Sequence, residues 1–167
     1  MELLKSQRMN SMSYVSEAIL FISRDPDRCR GCGCCELICS LIHEGECNPS
    51  TSRIVVKKDF FQLKFEPETC RQCPDHPCLN ACPVGAIRGD PKTGAKVLED
   101  SLCIGCGLCA KACPFNLDGH ILRFHPGRKV YVKCDLCGGS PACVEYCPRE
   151  ALKLLCWKAD SESGAER

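Results

Sequence analysis

The run Cys103-Ile-Gly-Cys106-Gly-Leu-Cys109-Ala-Lys-Ala-Cys113-Pro114 leaves a chain few ways to fold. Its spacing, C-x2-C-x2-C-x3-C-P, suits the ligation of a cubane iron–sulfur cluster. Three thiolates two residues apart let a tight loop wrap one cube. Gly105 and Gly107 permit sharp turns that bring backbone N–H groups near the sulfurs. Cys113 follows a short helical stretch later, and Pro114 stops a helix from continuing.

The pattern recurs. Its relatives are Cys29-x2-Cys32-x2-Cys35-x3-Cys39, Cys70-x2-Cys73-x4-Cys78-x3-Cys82-Pro83 and Cys134-x2-Cys137-x5-Cys143-x3-Cys147-Pro148. Sixteen of the 19 cysteines therefore fall into four groups of four, the ligand count of four 4Fe–4S clusters. The candidate ligands are Cys29, Cys32, Cys35, Cys39, Cys70, Cys73, Cys78, Cys82, Cys103, Cys106, Cys109, Cys113, Cys134, Cys137, Cys143 and Cys147. Zinc competes through C-x2-C pairs, but zinc sites rarely add a third cysteine two residues on and a C-x3-C-P tail. A zinc-stabilised interaction module is thus the lesser reading.

Three cysteines are left over. Cys34 adjoins Cys35; the two-residue spacing favours Cys35 as ligand and leaves Cys34 a neighbour able to tune or replace it. Cys47 and Cys156 read as small buried residues. His43, His76, His120 and His125 are not needed as ligands and read as packing or surface groups. Arg30, Arg71, Lys111 and Lys133 sit beside cysteines; they either stabilise the electron added to a cluster or form a solvated face.

Cysteine at this density also fits a disulfide scaffold, which requires a secretory route. Met1 to Asn10 carries Lys5 and Arg8, but no apolar h-region, cleavage site or twin arginine follows. The expectation is a reducing, cytoplasmic setting. Apolar runs such as Ala18–Ile22 are too short to span a bilayer. Net charge is +1 with both signs mixed, which gives no support to nucleic-acid binding. A Gly-rich phosphate loop, G-x-S-x-G and H-E-x-x-H are all missing, so the chain reads as a non-catalytic redox component.

Residues 1–16 read as a flexible extension, 17–157 as the cluster-bearing domain and 158–167 as a polar tail. Within the domain, Glu17–Ser23 and Ala151–Trp157 read as the first and last strands. Between them, Glu36–Ile42 reads as a helix ending near Gly45, and Arg53–Lys58 and Phe60–Glu66 read as strands. Val84–Arg88 with Ala95–Leu98, and His120–Phe124 with Lys129–Val132, read as hairpins around Asp-Pro-Lys-Thr-Gly and His-Pro-Gly-Arg. Strand, cysteine triplet, short helix bearing the fourth cysteine and strand recur four times. Units this small bury little apolar area, so bound clusters must supply much of the core.

The groups CRQCPDHPCLNACPVGAI, CIGCGLCAKACPFN and KCDLCGGSPACVEYCPREAL resemble those of four-cluster iron–sulfur subunits. Such subunits serve molybdenum and tungsten oxidoreductases of the dimethyl-sulfoxide-reductase type, some hydrogenases and carbon monoxide dehydrogenase. The segment CRGCGCCELICSLIHEGECNPSTSRI is similar to small subunits paired with tungsten enzymes of the aldehyde ferredoxin oxidoreductase family, including relatives that reduce benzoyl-coenzyme A.

The resemblance implies an α+β fold: a duplicated bacterial two-cluster ferredoxin-like fold, with short helices and β-hairpins around four cubane clusters. It pairs motif 29–39 with 134–147 and motif 70–82 with 103–113, each pair exchanging its fourth cysteines. Cys29, Cys32 and Cys35 would share a cluster with Cys147, and Cys134, Cys137 and Cys143 one with Cys39. Cys70, Cys73 and Cys78 would join Cys113, and Cys103, Cys106 and Cys109 would join Cys82. The departures are the Cys34-Cys35 doublet and Ser40, where the other groups have proline. The implied role is a one-electron relay in an anaerobic cytoplasm. Its partners would be a large tungsten or molybdenum pterin subunit and a further redox protein such as a ferredoxin or a flavin subunit. The rival partner is a hydrogenase, carbon monoxide dehydrogenase or formate dehydrogenase.

Overall fold

The computed structural model describes residues 18–158. The expected extension over 1–16 lies outside that range, as does the tail over 158–167 apart from its first residue.

The architecture is α+β: short helices and four two-stranded antiparallel sheets strung between cysteine loops. Strand β1 (Ala18–Arg24) pairs with β8 (Leu152–Lys158), from Ala18 opposite Lys158 to Arg24 opposite Leu152. Ile22 and Leu152 are buried there, and Phe21 stacks on Trp157 at 4.5 Å between ring centroids. The two ends of the described chain are thereby joined, which places the first and last cysteine groups side by side. Helix α1 (Cys34–Glu44) packs on α4 (Ala142–Glu145), and α2 (Pro77–Asn80) packs on α3 (Leu108–Ala112). The second and third groups form a similar pair, nested inside the first.

The remaining sheets are hairpins: β2 (Ile54–Asp59) with β3 (Lys64–Thr69), β4 (Ile87–Gly89) with β5 (Lys96–Leu98), and β6 (Arg123–His125) with β7 (Val130–Val132). Three strands begin later than their apolar residues suggest, each because a local acceptor captures backbone amides. At the β2–β3 tip, the Asp59 carboxylate accepts from the amides of Phe61 and Gln62. Phe60, Phe61 and Leu63 therefore lie in an exposed turn, and β3 starts only at Lys64. Before β4, the Ala86 amide donates to the Cys82 sulfur. Before β6, the amides of Ile121 and Leu122 donate to Asn116 Oδ1.

The fourth cysteine rides on a helix only in the first group. Elsewhere the third cysteine (Cys78, Cys109, Cys143) sits in a helix of four or five residues, and the fourth follows its end. In α1 the helix runs on through Cys39 for eleven residues to a left-handed Gly45 cap. Ser40 explains the missing proline. It is fully buried inside that helix, its hydroxyl donating to the carbonyls of Glu36 and Leu37 and accepting from the Asn48 amide.

Sulfur makes up much of the interior. The larger core joins Ile22, Ile54, Val56, Leu136 and Leu152 to Cys35, Cys39, Cys70, Cys134 and Cys143, and the smaller joins Ile87 and Leu122 to Cys78 and Cys109.

Candidate metal centre

All four cysteine loops share one backbone feature. The residue two beyond the first cysteine of each group has a positive φ: Gly31 at 66°, Gln72 at 50°, Gly105 at 69° and Leu136 at 59°. Only glycine takes this conformation freely, at a cost of about 1–3 kcal/mol for other residues. Gln72 and Leu136 are nearly inaccessible, and their packing holds the turn that glycine adopts unaided elsewhere. At Gly105 a Cβ would also stand 2.5 Å from the Lys129 carbonyl oxygen. Gly105→Ala is therefore expected to destabilise the Cys103–Cys109 loop by at least about 1–3 kcal/mol. Faster thermal bleaching of the visible absorbance, relative to the parent protein, checks this.

The loops gather cysteines from distant parts of the chain. Cys29, Cys32, Cys34, Cys35 and Cys147 line one cavity, walled by Val56, Pro67 and Leu152. Cys103, Cys106, Cys109 and Cys82 line another, walled by Ile87, Leu98 and Tyr131. Burial raises the Cys143 thiol first, and Cys134, Cys39, Cys137 and Cys35 then raise it further. Cys78 is raised by burial and then by Cys70 and Cys113, while Lys133 opposes them. Each triplet thus meets the fourth cysteine of its partner group.

Packing also orders the four sets in space. Cys35, Cys39, Cys134, Cys143 and Cys70 share the larger core, Cys78 and Cys109 share the smaller, and Cys113 packs against both. The line runs from the Cys29 set through the Cys134 and Cys70 sets to the Cys103 set. Exposed Cys32 and Cys106 mark its two ends.

Burial makes these thiols costly to ionise without a cation. It pushes Cys35 and Cys134 up to about 12, and Cys73 and Cys109 up to about 11. Iron is the cation this donor set fits: clustered thiols, five at one cavity and four at the other, in tight loops with amides aimed at sulfur. The amides of Ala86 and Ala151, each four residues past a Cys-Pro, donate to Cys82 Sγ at 3.2 Å and Cys147 Sγ at 3.3 Å. The Arg53 amide does the same for Cys39 at 3.3 Å. His43 Nε2 lies 3.7 Å from Cys137 Sγ, and Asp135, which pairs with His43 and Arg53, also accepts from the Cys137 amide.

The surplus cysteines separate clearly. Cys34 opens α1 at the cavity rim, half-buried and beside Cys32, whereas Cys35 is buried. Cys47 and Cys156 are exposed, contrary to the expectation of burial. Cys47 lies in the polar loop beyond α1, and Cys156 lies toward the end of β8, on the face of Leu152 and Leu154 but beyond the core they close.

The four basic neighbours of cysteines separate as well. Arg30, Arg71 and Lys111 are exposed, and Arg71 lies over the Phe115 ring at 4.1 Å. Lys133 is 2% exposed. Burial alone would lower it, but Cys70, Cys78 and Cys134 together hold its ammonium above its ordinary value. Lys96, buried beside it, is lowered by burial and by Lys133 against the opposing pull of Cys73, Cys78 and Cys70. Sequence reasoning passed over Lys96 and Gln72. The one available signal was Gln72 at a loop position where two groups carry glycine.

Comparison with known proteins supports iron–sulfur clusters. Residues 61–155 match the 4Fe-4S dicluster domain family, and residues 26–41 match a 4Fe-4S binding domain. The chain is 46% identical over 147 residues to the polyferredoxin-like subunit of an aliphatic sulfonate oxidoreductase from Pyrococcus furiosus, spanning 86% of this chain and 82% of that one. It is 34% identical to hydrogenase-4 component A of Escherichia coli, over 81% of this chain and 82% of that one. It is 32% identical to the thiosulfate reductase electron transfer subunit of Salmonella typhi, over 78% and 72% respectively. Among solved structures, the active site complex BamBC of benzoyl coenzyme A reductase with 1,5 dienoyl-CoA matches at TM-score 0.51 and 25% identity, over 90% of this chain and 83% of that one. The chain belongs to the 4Fe-4S dicluster-domain family of iron–sulfur electron-transfer subunits.

Proposed function

We propose that the chain relays single electrons through four 4Fe–4S clusters to or from a catalytic tungsten or molybdenum pterin oxidoreductase subunit, without catalysis of its own. The observation that carries this reading is the left-handed turn repeated in all four cysteine loops, each loop meeting its partner group's fourth cysteine. The proposed ligand sets are Cys29, Cys32, Cys35 with Cys147; Cys134, Cys137, Cys143 with Cys39; Cys70, Cys73, Cys78 with Cys113; and Cys103, Cys106, Cys109 with Cys82. A cube held by four thiolates takes up and releases one electron and offers no open iron to a substrate. The protein's part is to hold the sulfurs in fixed loops, aim amides at them and keep water from the inner sets. Exposed Cys32 and Cys106 mark the edges at which electrons enter and leave. Among the described residues, no helix is long and apolar enough to cross a membrane. A cytoplasmic location is part of this proposal.

A tungsten or molybdenum partner is favoured by the likeness of the segment 29–54 to small subunits of tungsten enzymes, and the sulfonate oxidoreductase relative is compatible with it. The hydrogenase-4 relative supports a second reading, with a nickel enzyme as partner. Protein purified without oxygen is expected to hold about sixteen irons and sixteen sulfides per chain, with brown absorbance bleached by dithionite. A colourless zinc protein would sink the relay. Tungsten or molybdenum in the co-purifying large subunit supports the first partner, and nickel supports the second.

A further inference from the structure

Two lysines are buried where the inner and outer pairs of cysteine groups meet. Lys133 is 2% and Lys96 8% exposed. The Lys133 ammonium donates to the Cys134 carbonyl at 3.1 Å, to Gln72 Oε1 at 3.4 Å and to the Lys96 carbonyl. It faces the sulfurs of Cys70, Cys78 and Cys134, which belong to two different sets. The Lys96 ammonium donates to the Gly94 carbonyl at 3.0 Å and faces Cys73, Cys78 and Cys70, which belong to one. Neither lysine forms an ion pair with a carboxylate among the described residues. Burying ammonium groups without carboxylates is expensive unless other negative charge faces them. Here the sulfurs of the two inner sets supply it.

We propose that Lys133 and Lys96 form a fixed positive centre that raises the reduction potentials of the two inner clusters above those of the two outer ones. The inference rests on the four-cluster reading. Each electron added to a cluster increases its negative charge, and a cation in a dry interior stabilises that form far more than one in water. The basic groups beside the outer sets, Arg30 and Lys111, are exposed and screened by solvent. An electron entering at either end therefore moves downhill to the middle of the relay, where it is held away from water and oxidants.

The residues facing each lysine predict different effects for the two variants. In the anaerobically purified full chain, Lys133→Gln lowers the one-electron reduction equilibrium of both inner clusters by tenfold or more, each tenfold being 59 mV. Lys96→Gln lowers that of the Cys70 cluster alone, and Lys133→Arg, which keeps the charge, leaves both within about threefold of the parent. Redox titration followed by electron paramagnetic resonance reads these shifts. The inner clusters are identified by the signals lost in Cys113→Ala and Cys39→Ala. Full iron with unmoved potentials in Lys133→Gln overturns the proposal, as does an equal fall in all four clusters. Should Lys133→Gln fail to retain iron, Lys96→Gln and Lys133→Arg decide: a selective fall in the first and unchanged inner potentials in the second support the centre, and any other result overturns it. A parent protein with far fewer than about sixteen irons overturns the four-cluster reading itself.

Discussion

Replacing Cys113 with alanine is expected to remove the cluster held by Cys70, Cys73 and Cys78, and to spare the one held by Cys103, Cys106 and Cys109. Iron should fall from about sixteen to about twelve per chain, one cubane's worth. Along the chain Cys113 belongs to the Cys103 run, so proximity in sequence argues the other way. The fold overrules it. Helix α3 ends at Ala112, and Cys113 is in extended backbone, at φ −78° and ψ 115°, beyond the helix that carries Cys109. Its thiol is raised by burial and by Cys70, and Cys113 in turn raises Cys78. The cavity on Cys103, Cys106 and Cys109 is closed instead by Cys82. The mirror variant, Cys82→Ala, should cost the Cys103 cluster and leave the Cys70 cluster in place. Loss of the Cys103 cluster in Cys113→Ala, read by iron analysis and paramagnetic resonance, would contradict the exchange.

What the sequence made legible is what the chain enforces over a few residues. Cysteine spacing is such a constraint, because a loop of fixed length brackets one cube, and the glycines at 31 and 105 mark where it must turn the other way. The same turn at Gln72 and Leu136 carries no glycine to announce it, since packing around two inaccessible side chains imposes the conformation. Hairpin turns were readable for the same local reason: the Asp90 carboxylate accepts from the amides of Lys92 and Thr93, as its turn sequence suggests.

Strand limits were not readable where apolar residues serve something other than a sheet. Phe60, Phe61 and Leu63 look like strand residues and lie instead in an exposed turn, because Asp59 captures the amides of that turn. Ile121 and Leu122 are core residues whose amides belong to Asn116. The pairing of β1 with β8 joins segments at opposite ends of the described chain, and no local pattern names a partner at that distance. Lys133 shows the same limit in the candidate site. Arg30, Arg71, Lys111 and Lys133 are alike as neighbours of cysteine, and only the packing of the two inner sets buries one of them.

The Cys34-Cys35 doublet is expected to divide just as sharply. Cys35→Ala should cost the first cluster and about four irons, whereas Cys34→Ala should retain about sixteen. Both residues line the cavity shared with Cys29, Cys32 and Cys147, so proximity to the cavity does not separate them. Burial and direction do. Cys35 belongs to the larger core, where its thiol is pushed up to about 12 by burial, then by Glu36, Cys29 and Cys32. Cys34 is the first residue of α1, directly after the left-handed Gly33, and sits beside the exposed Cys32 at the rim. On a helix, successive side chains point about 100° apart, so Cys34 cannot take the place of Cys35 without unwinding the first turn of α1. That turn is held by the Glu36 side chain, whose carboxylate accepts from the Val56 amide at 3.1 Å and pairs with Lys58 at 3.5 Å. Full iron in Cys35→Ala would show that the turn yields and that Cys34 is an equivalent ligand. Loss of four irons in Cys35→Ala but not in Cys34→Ala assigns the ligand to the buried member of the pair.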